Sequence, residues 1–138
     1  MPRVSQEKLH DLLDSPVFAT VATIQPDGRP QLSVVWVRRD GDDVLFMIGI
    51  GSRKERNIRR DPRVSVLVSP PDEPYTYAAV HGVATFEPER AVELRDELAV
   101  KYIGVTYPEH VRRTPEAAAG LGPITAVRLT PQKLAGRL

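Results

Sequence analysis

The strongest constraint on the fold is punctuation: short runs rich in β-branched and aromatic residues are separated by turns whose own residues dictate the reversal. Pro26-Asp27-Gly28-Arg29 is the clearest of these turns. Proline presets φ and glycine supplies the left-handed position, so the β-rich run 17–25 returns as a hairpin through 31–39. Asp40-Gly41-Asp42-Asp43 turns the chain again into a third run, 44–50, and Pro70-Pro71-Asp72 closes a fourth, 63–69. Residues 75–87 form a long fifth run with Gly82 in its middle, where a glycine signals a bulge or a close backbone contact. Residues 124–129 are the last strand, and 131–138 read as a tail. Helical spacing appears at 4–13, in a helix that Pro88 opens, and in a basic segment after Ser52. Residues 107–122 read as a loop or broken helix. Six short strands with helices only at the start and at two insertion points predict a mainly β protein, a small antiparallel barrel with peripheral helices.

Such a barrel suits 138 residues, which make one domain, 1–138, large enough for its own core. With a net charge of +1 the chain has no general pull toward nucleic acid. It has no apolar run of about 18 residues, so no membrane span is expected, and with no signal-peptide pattern at the start the cytoplasm is the expected location. The chain has no cysteine, which excludes disulfides, thiolate metal sites and a thiol nucleophile. His10, His81 and His110 are dispersed, without metal-ligand spacing, and no metal site is expected. Neither paired carboxylates nor a Ser/His/Asp arrangement stands out, so no catalytic side chain is assigned. An enzyme of this kind would use a bound organic cofactor for the hard step, with the protein supplying binding and orientation.

The one segment that asks for a ligand follows the third run. Gly49-Ile50-Gly51-Ser52-Arg53-Lys54 leads into a short basic helix that Pro62 stops. Ser52 is a good N-cap. Arg53 and Lys54 then stand at the positive end of the helix dipole, which disfavours cations unless an anion is also held there. A competing reading is a solvated helix face, since five of the eight residues 53–60 are basic. The two glycines and the cap directly before the cations favour a phosphate site. Arg59 and Arg60 lie at the other helix end, where cations are favoured in any case.

Elsewhere on the hairpin, Trp36 is the single tryptophan, read on a strand with Leu32 and Val34, for packing or an interface in preference to ligand stacking. Ser33 is a polar residue in an apolar strand, which points to a specific hydrogen bond. Tyr75 and Tyr77 open the fifth run and either line a ring-binding cleft or pack. The runs Val17-Phe18-Ala19 and 44–48 show no clean alternation. One face of each fills the barrel and the other needs a cover; a second copy of the chain is the economical cover, so a homodimer is expected.

Taken together, Asp27-Gly28-Arg29-Pro30-Gln31, the Ser52-Arg53-Lys54 turn, Asn57 and Arg60-Asp61-Pro62-Arg63-Val64-Ser65 resemble the pyridoxamine 5′-phosphate oxidase-like, FMN-binding split-barrel superfamily over residues 15–129. Within it the chain is most similar to the branch that uses the deazaflavin coenzyme F420. The resemblance implies a split barrel and a cofactor bound at a dimer interface, with hydride transfer to or from a small organic substrate. It implies that Arg53 and Lys54 bind the cofactor phosphate with help from Ser52. Ser33, Val35 and Trp36 would contact the ring, Ile48 and Gly49 would line the same cleft, and Tyr77 would touch the ring edge or ribityl chain. Gln31 and Asn57, which carry part of the resemblance, join the cofactor-binding set.

Two departures matter. The carboxy-terminal Arg- and Trp-containing motif of a true pyridoxamine phosphate oxidase is missing, so vitamin B6 synthesis is not expected. Ser52 stands where some F420-binding relatives place a second cation, while Arg53 matches the FMN-type pattern. F420 and FMN therefore both remain as cofactors, the second implying a flavin reductase or oxidase. A cofactor-binding protein without turnover is the third reading.

Overall fold

A connector of two residues sets the shape. In the computed structural model, which describes residues 4–118 and 122–138, seven antiparallel strands follow the order β2-β1-β5-β6-β7-β4-β3. The strands are β1 (Ala19–Ile24), β2 (Pro30–Val35), β3 (Arg38–Asp40), β4 (Asp43–Gly49), β5 (Arg63–Val68), β6 (Tyr77–Glu87) and β7 (Ile124–Arg137). The two edge strands, β2 and β3, are consecutive in sequence, and only Trp36 and Val37 join them. Three Cα steps span at most about 11 Å, so the sheet must curl until its edges face each other. The result is a barrel left open along one seam, the split barrel. A single uninterrupted strand over 31–39 is therefore corrected: Trp36 stands in the seam and not on a strand.

The β1–β2 hairpin turns at Pro26-Asp27-Gly28-Arg29, with Gly28 at φ 89° and Asp27 accepting from the Arg29 backbone N–H. Helix α1 (Gln6–Asp14) starts on the Ser5 cap and places Leu9, Leu12 and Leu13 against the barrel core around Phe46, Val66, Val80 and Leu129. Helix α2 is Arg53–Arg60. After a 3₁₀ turn, Pro88–Arg90, helix α3 (Ala91–Ile103) lays Leu94 and Leu98 over Leu45 and Ala126. Helix α4 (Tyr107–Arg113) and the 3₁₀ turn Pro115–Ala118 make the broken helix expected there. Residues 119–121 of that segment lie outside the described residues. No helix among the described residues is long and apolar enough to cross a membrane.

The tail is the clearest correction. Residues expected to trail from the last strand continue it, and β7 pairs with β6 from Glu87↔Ala126 to Tyr77↔Arg137. Pro131 reads as a strand breaker, but it lies opposite Gly82 where the register shifts, and a bulge tolerates proline in a sheet. The long strand also ties down the amino terminus, since Ser5 N–H donates to the Leu138 carbonyl at 3.0 Å.

Arg128 locks β7 to its neighbours. Its guanidinium meets Glu87 (2.5 Å), Asp40 (2.9 Å) and Asp43 (2.9 Å). These bonds, chiefly the one to Glu87, raise the Arg128 pKa, and its bonds to Asp40 and Glu87 hold both carboxyls below their ordinary values. Removing the cation would leave three clustered carboxylates with Arg90, 3.4 Å from Asp40 and 4.0 Å from Glu87, as the remaining cation beside them. Arg128→Met is expected to cost about 2 kcal/mol at neutral pH, below the fully buried range because water screens the partly exposed Asp40. The sign follows from the lowered carboxyl pKa values: the contribution is full above the ordinary carboxylate range and fades as acid protonates the folded carboxyls. Denaturant melts from pH 7 to pH 3 should show the gap between variant and parent closing with acid.

Candidate functional site

The seam opens into a cleft. A cavity of about 390 Å³ is lined by Phe18, Val34 and Val35 at the β1–β2 side, Trp36 in the seam, Met47, Ile48 and Gly49 of β4, and Lys54, Leu98 and Ile124. Among the described residues Lys54 is the one ionisable side chain in this lining. Its Nζ donates to Ser33 Oγ at 3.0 Å and makes no ion pair among the described residues. Burial holds the ammonium below its ordinary pKa, as expected of a cation half-removed from water without a counter-charge. An anion placed beside it would restore that pKa and remove the cost of desolvation.

Local sequence puts Lys54 there. Gly51 takes φ 85° at the sharp entry to α2. Ser52 Oγ then accepts from the Glu55 backbone N–H at 3.2 Å, and Glu55 Oε1 accepts from the Gly51 N–H at 2.7 Å, a variant of the capping box. Glu55 is engaged again by Arg59 one turn on, and the Gly51 N–H bond foremost lowers its carboxyl pKa. The helix start thus consumes its own acid, and among the described residues no carboxylate pairs with Arg53 or Lys54. Arg53 is exposed, with Nη1 donating to Gln25 Oε1 at 3.2 Å.

The structure therefore brings Val35, Trp36, Ile48, Gly49 and Lys54 into one cleft, with Ser33 bonded to Lys54, while Ser52 and Arg53 precede Lys54 at the helix start without lining the cleft. Gln31 and Asn57 stand behind it. Asn57 is buried and donates to Thr23 Oγ1 at 3.1 Å, which donates to Gln31 Oε1 at 3.1 Å. This chain of bonds ties α2 to β1 and β2 and sets the position of Lys54. Tyr77 is not brought into the cleft of its own chain; it lies at the far end of β6 beside Gly136 and Arg137. Arg59 covers the Phe86 ring and Arg60 meets the Ile24 carbonyl and Asn57, both away from the cleft.

Sequence reading missed the support for Trp36. The Tyr102 ring stacks on it at 5.0 Å and 4°. The Tyr102 hydroxyl donates to the Val17 carbonyl at 2.5 Å and accepts from Val37 N–H at 3.1 Å. One residue of α3 thereby fixes the connector that holds the seam. The Lys101 ammonium beside it donates to the Leu13 and Val37 carbonyls, and burial lowers its pKa to about 8. Met47, Leu98 and Ile124 in the lining were likewise not singled out. Their helix and strand periodicity marks them as core, and only the seam turns them into cleft.

The need for a cover resolves unevenly. The second face of β4 is covered within the chain, because α3 packs on Leu45. Outward side chains of β2 and β5, and Phe18 just before β1, remain open: Leu32, Val34, Leu67 and Phe18 are 62, 66, 43 and 65 % exposed. Phe18 and Val34 also line the cleft, so the open apolar face runs directly into it.

This split barrel with a cationic, apolar cleft belongs to the pyridoxamine 5′-phosphate oxidase family, whose model matches residues 5–137. Among solved structures, a conserved hypothetical protein, Rv2991 of Mycobacterium tuberculosis, is 28% identical, with a TM-score of 0.77 over 97% of this chain and 84% of that one. A structure described as an F420 reductase is also 28% identical, with a TM-score of 0.76 over 91% of this chain and 94% of that one. A putative pyridoxamine 5′-phosphate oxidase from Listeria innocua, 18% identical with a TM-score of 0.63 over 94% and 95%, shares the fold alone.

Proposed function

We propose that the chain is an oxidoreductase that binds coenzyme F420 between two copies of itself and passes a hydride to or from a small organic substrate. The observation that carries the reading is Lys54, a half-buried cation without a counter-ion among the described residues, at an apolar cleft of ligand size. The likeness to the F420 reductase structure over nearly the whole of both chains favours the deazaflavin over FMN.

The residues fit such a cofactor in kind. Lys54, with the neighbouring exposed Arg53, would hold a phosphate, and Val35, Trp36, Ile48 and Gly49 would flank a planar ring. The deazaflavin supplies the hydride-carrying carbon when bound. The chain's own part is to orient the ring and exclude water, because the described lining contains no carboxylate, imidazole or hydroxyl to move a proton. The exposed Phe18, Leu32, Val34 and Leu67 support a second copy as the lid, since an apolar face continuous with the cleft closes it when covered.

Separate titrations of the purified protein with F420 and FMN, followed by fluorescence, test the cofactor, and sedimentation at micromolar concentration tests the dimer. F420 is expected to bind at least about tenfold more tightly than FMN, a gap of about 1.4 kcal/mol, to a dimer. Tighter FMN binding would replace the reading with an FMN-dependent reductase or oxidase. Monomers alone would overturn the shared site.

A further inference from the structure

A second cavity adjoins the cleft. It holds about 260 Å³ and shares Trp36, Met47 and Ile124 with the cleft, while Arg95 of α3 and Tyr107 and His110 of α4 form its other side. The Arg95 guanidinium lies 4.0 Å above the centre of the Tyr107 ring. Its Nε is shut off from solvent and has no hydrogen-bond partner, and the side chain makes no ion pair among the described residues. A buried donor left unmade is costly, and structures retain few of them.

The acids nearby do not answer it. Glu109 of α4 is held by Arg112 and Arg113, which push its carboxyl down to about 2. Asp96 accepts from the Tyr107 backbone N–H at 3.2 Å. Glu97 pairs with Arg38. Arg95 therefore faces a chamber lined by Tyr107, His110 and apolar side chains, stacked on the Tyr107 ring but with no carboxylate paired to it among the described residues.

We propose that this chamber is the substrate subsite and selects a small apolar molecule bearing one carboxylate. The apolar body would rest against Trp36, Met47 and Ile124, and the carboxylate on Arg95. The arrangement suits an acid better than a neutral acceptor, since Arg95 supplies a planar fork of donors that a carboxylate matches and a lone hydroxyl does not. The shared Trp36–Met47–Ile124 wall would set such an acid beside the ring-binding cleft. As a substrate assignment, this rests on the cofactor reading above; the binding itself does not.

The test uses the cofactor-free protein. Trp36 is the only tryptophan, so its indole N–H signal in nitrogen-edited NMR reports on this wall alone. Cyclohexanecarboxylate is expected to shift that signal saturably, and cyclohexylmethanol to bind at least about tenfold more weakly. Arg95→Gln should weaken the acid about tenfold or more, and Arg95→Lys should restore part of the loss. Ala99→Leu, which fills the chamber without touching its charge, should abolish the shift while the far-ultraviolet circular dichroism stays native. Equal binding of acid and alcohol, or binding of the acid undiminished in Arg95→Gln or in Ala99→Leu, would overturn the chamber. Loss of acid binding in Lys54→Met but not in Arg95→Gln would place the anion in the cleft and overturn it too. A chamber that behaves as expected in a protein that binds neither F420 nor FMN would leave this site standing and sink the cofactor reading.

Discussion

Lys54→Met is expected to weaken binding of the phosphorylated cofactor 10- to 100-fold without lowering the melting temperature of the cofactor-free protein. The size follows from loss of a charge-assisted contact to a phosphate, worth roughly 1.5–3 kcal/mol. The second half of the expectation separates a binding site from a structural lysine. A lysine held for stability loses an ion pair when replaced, but Lys54 meets only the neutral Ser33 hydroxyl, and burial already disfavours its charge. Methionine keeps most of the aliphatic stem and removes the desolvated ammonium. Cofactor affinity in the parent should also decline in alkali at a pH below that of an ordinary lysine, because the folded, empty site holds its proton less tightly. Calorimetric titration of parent and variant at pH 7 and pH 9 checks both statements. An unchanged affinity at pH 7 would remove Lys54 from the phosphate site, and a large drop in melting temperature would make it structural.

The parts of this site that were legible are those whose chemistry is local. The Gly51-Ser52 entry, the cap and the cations of α2 lie within a few residues of one another, so dihedral preference and hydrogen-bonding capacity are enough to place them. The turn at Gly28 and the bulge at Gly82 are legible for the same reason. The less legible parts depend on pairing between distant segments. Trp36 looks like one more strand residue until the edges of the sheet are known to meet there. Tyr102 carries its helix period as a core residue would, and nothing in sequence links it to a tryptophan 66 positions earlier. The resemblance places Asn57 with the cofactor, yet its amide N–H is spent on Thr23. Pro131 shows how a correct local rule misleads: proline does break a strand ladder, but a partner glycine and a bulge across the sheet absorb the break.

Gly82→Ala is expected to damage the barrel severely for so small a change, costing about 3 kcal/mol or more. A Cβ at this position would lie 2.0 Å from the Thr130 carbonyl oxygen and 2.9 Å from its carbon, so backbone and not a movable side chain stands in the way. Glycine's dihedral freedom is not the reason, since Gly82 is not among the residues with positive φ. Gly104 provides the contrast. It caps α3 at φ 81° with open space around it, and Gly104→Ala should cost only about 1 kcal/mol, from strain alone. If the Gly82 penalty is steric, the damage should also be directional. Forcing β7 away at Thr130 undoes the pairing beyond the bulge, through Leu134 in the core to Leu138, which anchors Ser5 at the start of α1. Hydrogen exchange should then show residues 132–138 and α1 losing protection before the Met47↔Ala126 end of the sheet, where β4 and β7 build the cleft. The variant that remains folded should keep the parent's cofactor affinity, since the cleft lies at that other end of β7. A melting temperature close to that of Gly104→Ala would mean that β7 yields at the bulge without cost, and the close approach would then have no part in holding the barrel together.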